Sequence, residues 1–140
     1  VEIFYVHTDS DPELLEYMLN KYDGLVLAGT GSGNYSTKIK EVLETYAGNC
    51  TIVRASRVLE GAVFDSDVFD SKKVTIPAYK FSAQKARILL MLALNCTKNH
   101  ETIKSFFQEY WKNFSCIVNN FVNAIIIYRL LQDRRLLCSN

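Results

Sequence analysis

The sequence predicts an α/β fold, with a small open parallel sheet of about four strands flanked by helices in a flavodoxin-like three-layer arrangement. Short apolar β-rich runs alternate with amphipathic helical segments along the first part of the chain, which is typical of βαβ units. A glycine-rich turn follows the second run at once. The length of 140 residues and the hydrophobic content of 49% suit one domain of ordinary core size.

The first part of the chain contains three predicted strands and two predicted helices. The strands are expected at residues 1–6, 25–28 and 51–55. The first helix follows the cap signal of Asp11 and Pro12 and continues to Lys21, with apolar side chains at helical spacing. The second helix lies around residues 39–46, where apolar residues recur with the same period and Gly48 follows.

Beyond residue 56 the alternation lapses, and residues 57–81 are predicted to form a long loop with a short strand at 74–76 before Pro77. Ser82 is predicted to cap a helix over residues 83–96. Its run at 88–94 is apolar nearly all round and far too short for a bilayer, which predicts a buried helix. A last amphipathic helix is expected at about residues 101–110.

The final segment, residues 111–140, differs in character from the rest. Its apolar stretch is interrupted by Asn119, Asn120 and Asn123. Three interpretations stay open: a helix docked on the domain, a poor membrane segment, and sequence foreign to the fold. The asparagines disfavour the membrane interpretation, because unsatisfied amides are costly in lipid.

Charge and cysteine usage exclude several function classes. The net charge is +1 and the basic residues are scattered, so neither nucleic acid nor a membrane surface is an expected partner. The four cysteines show no C-x-x-C spacing, so no zinc site, redox motif or cofactor is expected. The chain opens in strand-like sequence without Met or a leader, which is typical of a domain taken from a longer protein.

Three glycines at alternate positions, Gly29, Gly31 and Gly33, follow the second predicted strand. Such a loop either lets a ligand approach the backbone or simply makes a tight turn. The spacing is not the G-x-G-x-x-G of dinucleotide sites, and Arg54 stands where an acidic ribose ligand would be expected. No phosphate-binding G-x-x-x-x-G-K-[ST] motif is present, so NAD and ATP are not expected ligands.

Acidic and histidine residues offer weaker candidates. Asp65, Asp67 and Asp70 could pair for acid–base work or bind a cation, although a solvated acidic loop is the commoner outcome of such a run. His7 directly follows the first strand and is better placed for a site than His100, but a lone histidine is more often structural. No metal site is expected.

Three sequence blocks, at residues 24–34, at 52–57 with Gly61, and at 84–94, together resemble the C-terminal domain of bacterial-type L-asparaginases, type II most closely. The resemblance covers residues 1–110, which we take as one domain, and leaves residues 111–140 without a counterpart. It implies an enzyme with a larger N-terminal domain that carries two catalytic threonines and an Asp-Lys pair. That enzyme hydrolyses asparagine, and often glutamine, to the acid and ammonia.

The resemblance also implies a homotetramer in which the C-terminal domain completes a neighbouring subunit's active site. Asn34 is then the residue that hydrogen-bonds the α-amino end of L-asparagine, and the three glycines shape its approach. The family's acidic residue would fall at Val68, so Asp67, one position away, is the expected second contact and Asp65 a weaker one. The catalytic threonines are absent from this chain, which is therefore expected to be inactive alone.

Two alternatives to an asparaginase domain remain open from the sequence. One is an interaction or regulatory module that kept the fold and lost the chemistry. The other is part of the amide-hydrolysing subunit of a tRNA-dependent amidotransferase, which shares the superfamily. A type II enzyme would be periplasmic or secreted, and otherwise the protein would be cytoplasmic.

Overall fold

A four-stranded parallel sheet forms the centre of the fold. The computed structural model describes residues 1–66 and 70–117, with side chains up to residue 112. The strands lie in the order of the chain and are β1 (Glu2–Tyr5), β2 (Gly24–Gly29), β3 (Thr51–Ser56) and β4 (Thr75–Ser82). Val26 pairs with Ile3 on one side and with Val53 on the other. All neighbouring strands run parallel, which confirms the predicted fold class.

Helices cover both faces of the sheet and complete three layers. They are α1 (Pro12–Lys21), α2 (Thr37–Thr45), α3 (Ala83–Cys96) and α4 (His100–Ile117). Leu15 of α1 and Ile39 of α2 pack in one apolar cluster. Leu90 of α3 and Phe107 of α4 pack in the other, on the opposite face. Side chains therefore alternate along β2 between two separate cores, as expected for a sheet buried on both sides.

Polar side chains start the first three helices. The Asp11 carboxylate accepts a hydrogen bond from the Glu13 amide at 2.9 Å, and Pro12 opens α1. The Ser82 hydroxyl accepts from the Lys85 amide at 3.4 Å. These contacts satisfy amides that have no partner inside the helix, and they confirm the predicted caps.

The last strand is longer than predicted. A short strand was expected to end before Pro77, yet β4 passes through Pro77 and continues to Ser82. It lies at the edge of the sheet, where a residue without an amide hydrogen is tolerated. The pairing with β3 shifts register after Arg54, and Tyr79 adopts a φ of 55°. Beyond this irregularity the pairing resumes at Ser56 and Ser82.

The prediction that α3 is a buried helix was wrong for half of its surface. Leu90 and Ala93 face the sheet and are buried, whereas Ile88 is 47% exposed and Met91 40% exposed. A helix in an outer layer has only one face against the sheet, so uniform hydrophobicity leaves apolar side chains uncovered.

The last helix is also longer than predicted. Expected at about residues 101–110, α4 extends to Ile117 and so enters the segment that has no counterpart in the resemblance. The Trp111 ring stacks on Tyr79 with centroids 6.2 Å apart. The remainder of that segment, residues 118–140, lies outside the described residues. No helix within the described part of the chain has the length and apolar content needed to cross a membrane.

Candidate functional site

The glycine loop, residues 29–34, leaves the carboxyl end of β2 and closes on itself. Thr30 donates its amide hydrogen to the Asn34 carbonyl at 3.0 Å, and the Asn34 amide donates back to the Thr30 carbonyl at 2.7 Å. Between them Gly31 has a φ of 51° and Gly33 a φ of 83°. Both values favour glycine, because a side chain in this region is strained. The loop is therefore a tight turn of defined shape.

The neighbouring strand β3 anchors this turn from beneath. The Ser56 hydroxyl donates to the Gly31 carbonyl at 2.6 Å. The Arg57 amide donates to the Gly29 carbonyl at 2.8 Å. A β-carbon on Gly29 would overlap the backbone of Gly33, so the turn has no space for a larger residue there. The loop is held at its middle by Ser56, the last residue of β3, and at its start by Arg57, the residue that directly follows this strand.

This turn holds Asn34 at the carboxyl edge of the sheet. Asn34 as a whole is half-buried, and its side-chain oxygen Oδ1 is shielded from solvent. Among the residues that the structure describes, no donor forms a hydrogen bond with Oδ1. A buried acceptor without a donor costs about 1–3 kcal/mol. Asn34 thus has a backbone held by the turn and a side-chain acceptor without a donor.

The acidic loop, residues 57–74, connects β3 to β4, and its described residues, 57–66 and 70–74, include neighbours of the glycine loop. Val63 donates its amide hydrogen to the Tyr79 carbonyl at 2.9 Å. Asp65 forms an ion pair with Lys104 of α4 at 3.2 Å, and its side chain remains 42% exposed. Asp67, the expected second contact to substrate, lies outside the described residues, and its assignment stays a prediction.

Asp70 of the acidic loop is buried, whereas the sequence predicted a solvated side chain for Asp65, Asp67 and Asp70. It is only 8% exposed. Its carboxylate accepts hydrogen bonds from the Val74 amide at 2.8 Å, from the Thr75 amide at 2.7 Å and from the Thr75 hydroxyl at 2.6 Å. The carboxylate is buried because it satisfies backbone donors at the start of β4.

The two loops share an electrostatic environment at Tyr35. Burial of the phenol raises its pKa to about 12, and the negative charge of Asp70 adds to the effect, while Arg54 opposes it. Tyr35 directly follows Asn34, and Asp70 belongs to the acidic loop. The phenol therefore stays neutral across the physiological range.

The remaining titratable candidates do not assemble into a site. His7 is exposed at the end of β1. Cys50 is half-buried, and burial raises the pKa of its thiol to about 11, which disfavours the reactive thiolate. Cys96 is exposed on α3. Within residues 1–66 and 70–117, no three histidine, cysteine, aspartate or glutamate side chains come together to hold a metal ion.

Comparison with known families decides how this geometry is interpreted. Residues 1–107 match the model of the glutaminase/asparaginase C-terminal domain. The chain belongs to this family. The asparaginase C-terminal domain contains all of the glycine loop and of the acidic loop, because the match ends within α4.

Relatives of the asparaginase domain include two curated bacterial proteins. A probable periplasmic L-asparaginase of Haemophilus influenzae is 37% identical over 113 residues, which cover 79% of this chain and 32% of that protein. L-asparaginase 2 of Escherichia coli is 42% identical over 91 residues, covering 64% of this chain and 26% of that protein. The chain thus spans about a third or less of these relatives.

A solved structure agrees with the family assignment. The crystal structure of a probable cytoplasmic L-asparaginase from Campylobacter jejuni superimposes with a TM-score of 0.68 at 34% identity. The superposition covers 76% of this chain and 35% of that one. The sequence prediction of an asparaginase C-terminal domain is confirmed.

One buried group at the site was missed as a candidate from the sequence. In the sequence, Arg54 argues against dinucleotide binding and belongs to the block at residues 52–57, but neither observation predicted a role of its own for it. In the structure it lies beneath both loops and is 2% exposed. The available signal was a charged residue inside the apolar strand run 51–55, because a charge in a buried strand requires dedicated partners.

Proposed function

We propose that this chain is the C-terminal domain of an L-asparaginase and that it orients the substrate while the nucleophile comes from another domain. Asn34 carries this proposal. The amide oxygen of Asn34 is an acceptor and suits the α-ammonium group of L-asparagine, which has only donors to offer. Oδ1 is shielded from solvent in this structure, so the proposed contact requires the Asn34 side chain to turn toward the substrate. The relatives that support the proposal are named as L-asparaginases.

The proposed role is positioning. Fixing the charged end of the substrate places its side-chain amide for attack and lowers the entropic part of the barrier. The chemistry itself, in which water replaces ammonia at the amide carbon, is assigned to the threonine-bearing N-terminal domain. We therefore expect the 140-residue chain alone to release no ammonia from L-asparagine. Turnover comparable to that of a whole L-asparaginase would overturn this division of roles.

Oligomer contacts are the second part of the proposed role. Ile88 and Met91 on α3, with Leu14 and Tyr17 on α1, expose apolar side chains on the outer layers of the domain. Such side chains suit contacts between subunits or with the N-terminal domain, since covering them removes apolar area from water. The homotetramer is the assembly we propose, and light scattering of the longer protein tests it.

The decisive experiment substitutes Asn34 in the longer protein that contains this domain. A hydrogen bond to a charged group contributes about 1.5–3 kcal/mol, so we expect Asn34→Ala to raise KM for L-asparagine about ten- to hundredfold. Asn34→Asp keeps an acceptor and should retain more of the affinity. Asn49→Ala changes an exposed asparagine before β3 and serves as the control.

An unchanged KM in Asn34→Ala would remove Asn34 from the substrate site. A longer protein without a threonine-bearing domain would instead favour the regulatory module. Amide hydrolysis that depends on a tRNA-binding partner would favour the amidotransferase subunit. Each outcome is distinguished by activity measured with L-asparagine and with L-glutamine, with and without that partner.

A further inference from the structure

Arg54 is a buried cation that the proposed function does not use. It occupies the middle of β3, and its side chain is among the largest that are fully buried in the described chain. A guanidinium has five donors and no acceptor, and it stays charged under all physiological conditions. Removing such a group from water is unfavourable unless its donors find acceptors. Its partners therefore indicate why it is there.

The guanidinium donates to both loops at once. Nη1 donates to the Ser32 carbonyl of the glycine loop at 3.0 Å. Nη2 donates to the Phe64 carbonyl of the acidic loop at 2.9 Å. Ser32 and Phe64 are far apart in sequence, and one planar group joins them. One guanidinium thus bridges the two loops.

The third donor connects Arg54 to a buried carboxylate. Nε donates to the Thr75 hydroxyl at 3.4 Å, and that hydroxyl donates to Asp70 at 2.6 Å. The two buried charges of opposite sign are thereby linked through one hydroxyl, which fixes the rotation of the guanidinium plane. The Arg54 side chain is therefore held by hydrogen bonds to Thr75 of β4 and to Phe64 of the acidic loop.

The stem of Arg54 also touches the glycine loop. A β-carbon added to Gly33 would lie 2.9 Å from Arg54 Cγ. The backbone at Gly33 therefore rests directly on the arginine stem, and Asn34 is the next residue. Arg54 holds the loop at Ser32 through a hydrogen bond and at Gly33 through packing, immediately before the residue that we assign to substrate.

We propose that Arg54 is a positioning residue that sets the placement of Asn34 relative to the acidic loop, without touching the substrate. This inference rests on the proposed function of Asn34. Lysine cannot replace the arginine fully, because a single ammonium cannot present parallel donors to two carbonyls in a fixed fork. The proposal therefore predicts that charge alone is insufficient at this position.

The test on the 140-residue chain compares Arg54→Lys with wild type by amide NMR. We expect the amide resonances of Asn34 and Phe64 to shift together and their hydrogen exchange to accelerate, while amides of α1 keep their shifts. Arg54→Met, which removes the charge, should give larger changes of the same pattern if it folds. Arg87→Met is the control, since Arg87 donates from α3 to the Val1 carbonyl, away from both loops. Unchanged resonances in Arg54→Lys would overturn the proposal.

The test in the longer protein is a double-substitution cycle on KM for L-asparagine. Arg54→Lys should raise KM about tenfold and leave kcat within about threefold, because a displaced Asn34 weakens ground state and transition state alike. The double variant with Arg54→Lys and Asn34→Ala should have a KM that exceeds the wild-type KM by less than the product of the two single-variant ratios. Multiplicative effects would overturn the proposal, since they mean that Arg54 does not act through Asn34.

These outcomes separate this inference from the proposed function. If Asn34→Ala leaves KM unchanged, the substrate assignment of Asn34 fails, and with it the role of Arg54 in positioning a substrate residue. If Asn34→Ala raises KM and a folded Arg54→Lys does not, the substrate assignment stands and the positioning role of Arg54 is wrong. Thermal unfolding of each variant establishes that the proteins compared are folded.

Discussion

The glycine loop and the acidic loop meet at the same edge of the sheet, yet they differ in how much of each is held by distant elements. The glycine loop closes on itself, because Thr30 and Asn34 exchange both of their backbone hydrogen bonds. Its shape comes from two glycines with positive φ, Gly31 and Gly33. Its turn geometry lies within its own few residues, and Arg54 and Ser56 of β3 attach that turn to the sheet.

The acidic loop is held from outside. Its Phe64 carbonyl accepts from Arg54 of β3, and its Asp65 pairs with Lys104 of α4. The Phe64 ring meets Tyr79 of β4 edge to face, with centroids 5.9 Å apart. The described part of this connection also has hydrogen bonds of its own, such as that from the Val74 amide to Asp70, but contacts with β3, β4 and α4 attach it to the domain. The comparison shows that two loops of one site can depend on very different parts of a chain.

The largest expected effect is on the glycine loop. We expect Gly33→Ala to lower the free energy of unfolding by about 2–4 kcal/mol, because it combines left-handed strain with crowding against Arg54 and Val63. The control is Gly31→Ala, where an added β-carbon has only Asn34 Nδ2 nearby at 3.9 Å, so strain alone should cost about 1–2 kcal/mol. Urea unfolding measures both, and equal losses would show that Arg54 does not constrain the loop.

Next in size is the anchor of the acidic loop. Asp70→Asn should lower the free energy of unfolding by about 2 kcal/mol, because an amide nitrogen then faces the Thr75 donors from which the carboxylate had accepted hydrogen bonds. Asp65→Asn is the matched control. Its ion pair with Lys104 is partly exposed, and such pairs contribute less than about 1 kcal/mol. Chemical denaturation that finds the two variants equally stable would contradict the assignment of Asp70 as the anchor.

A smaller effect concerns the aromatic support of the acidic loop. Trp111 lies beyond the family match and stacks on Tyr79, which in turn contacts Phe64. Trp111→Leu should lower stability by about 1 kcal/mol, since it removes the ring stacking and keeps an apolar side chain. Trp111→Phe, which retains a ring, should recover much of the loss. Thermal unfolding that ranks the phenylalanine variant below the leucine variant would argue against stacking.

The smallest effect is confined to alkaline pH. The Tyr35 phenol ionises near 10 in the unfolded chain, whereas its folded pKa is raised to about 12. Between pH 10 and pH 12 the phenol ionises in the unfolded chain but stays neutral in the folded one, which lowers the free energy of the unfolded state. The contribution of Tyr35 to the free energy of unfolding is therefore fully present below pH 10 and is lost as pH rises toward 12. Unfolding at pH 8 and 11 should show a smaller loss in Tyr35→Phe than in wild type. An identical loss would contradict the raised pKa of Tyr35, because the other titrating groups are common to both proteins.

The same phenol reports on both loops. Asp70→Asn removes a negative charge that raises the pKa of Tyr35, so the pKa of that tyrosine should fall in the variant. Absorbance titration of the phenolate, with Tyr35→Phe subtracted to isolate the signal, measures the change. An unaltered pKa would place the Asp70 charge too far from Tyr35 to couple the loops.

The elements best predicted from sequence are those with a local signal. Helix α1 begins and ends at the predicted residues, because a cap, a proline and an apolar period all agree there. The length of β4 was underestimated because proline usually ends a strand, whereas a strand at the edge of a sheet tolerates Pro77. The exposure of Ile88 was missed because an all-apolar helix does not reveal which of its faces packs.

The sequence by itself determined the fold class, the family and the glycine turn that presents Asn34. Each depends on patterns within short stretches of chain: periodicity, glycine spacing and cap residues. Only the tertiary structure showed that Arg54 joins both loops and that Asp70 is buried. Those facts depend on which groups meet across the sheet. A buried charge is stable only where distant donors and acceptors converge on it, and convergence is a property of the packed fold.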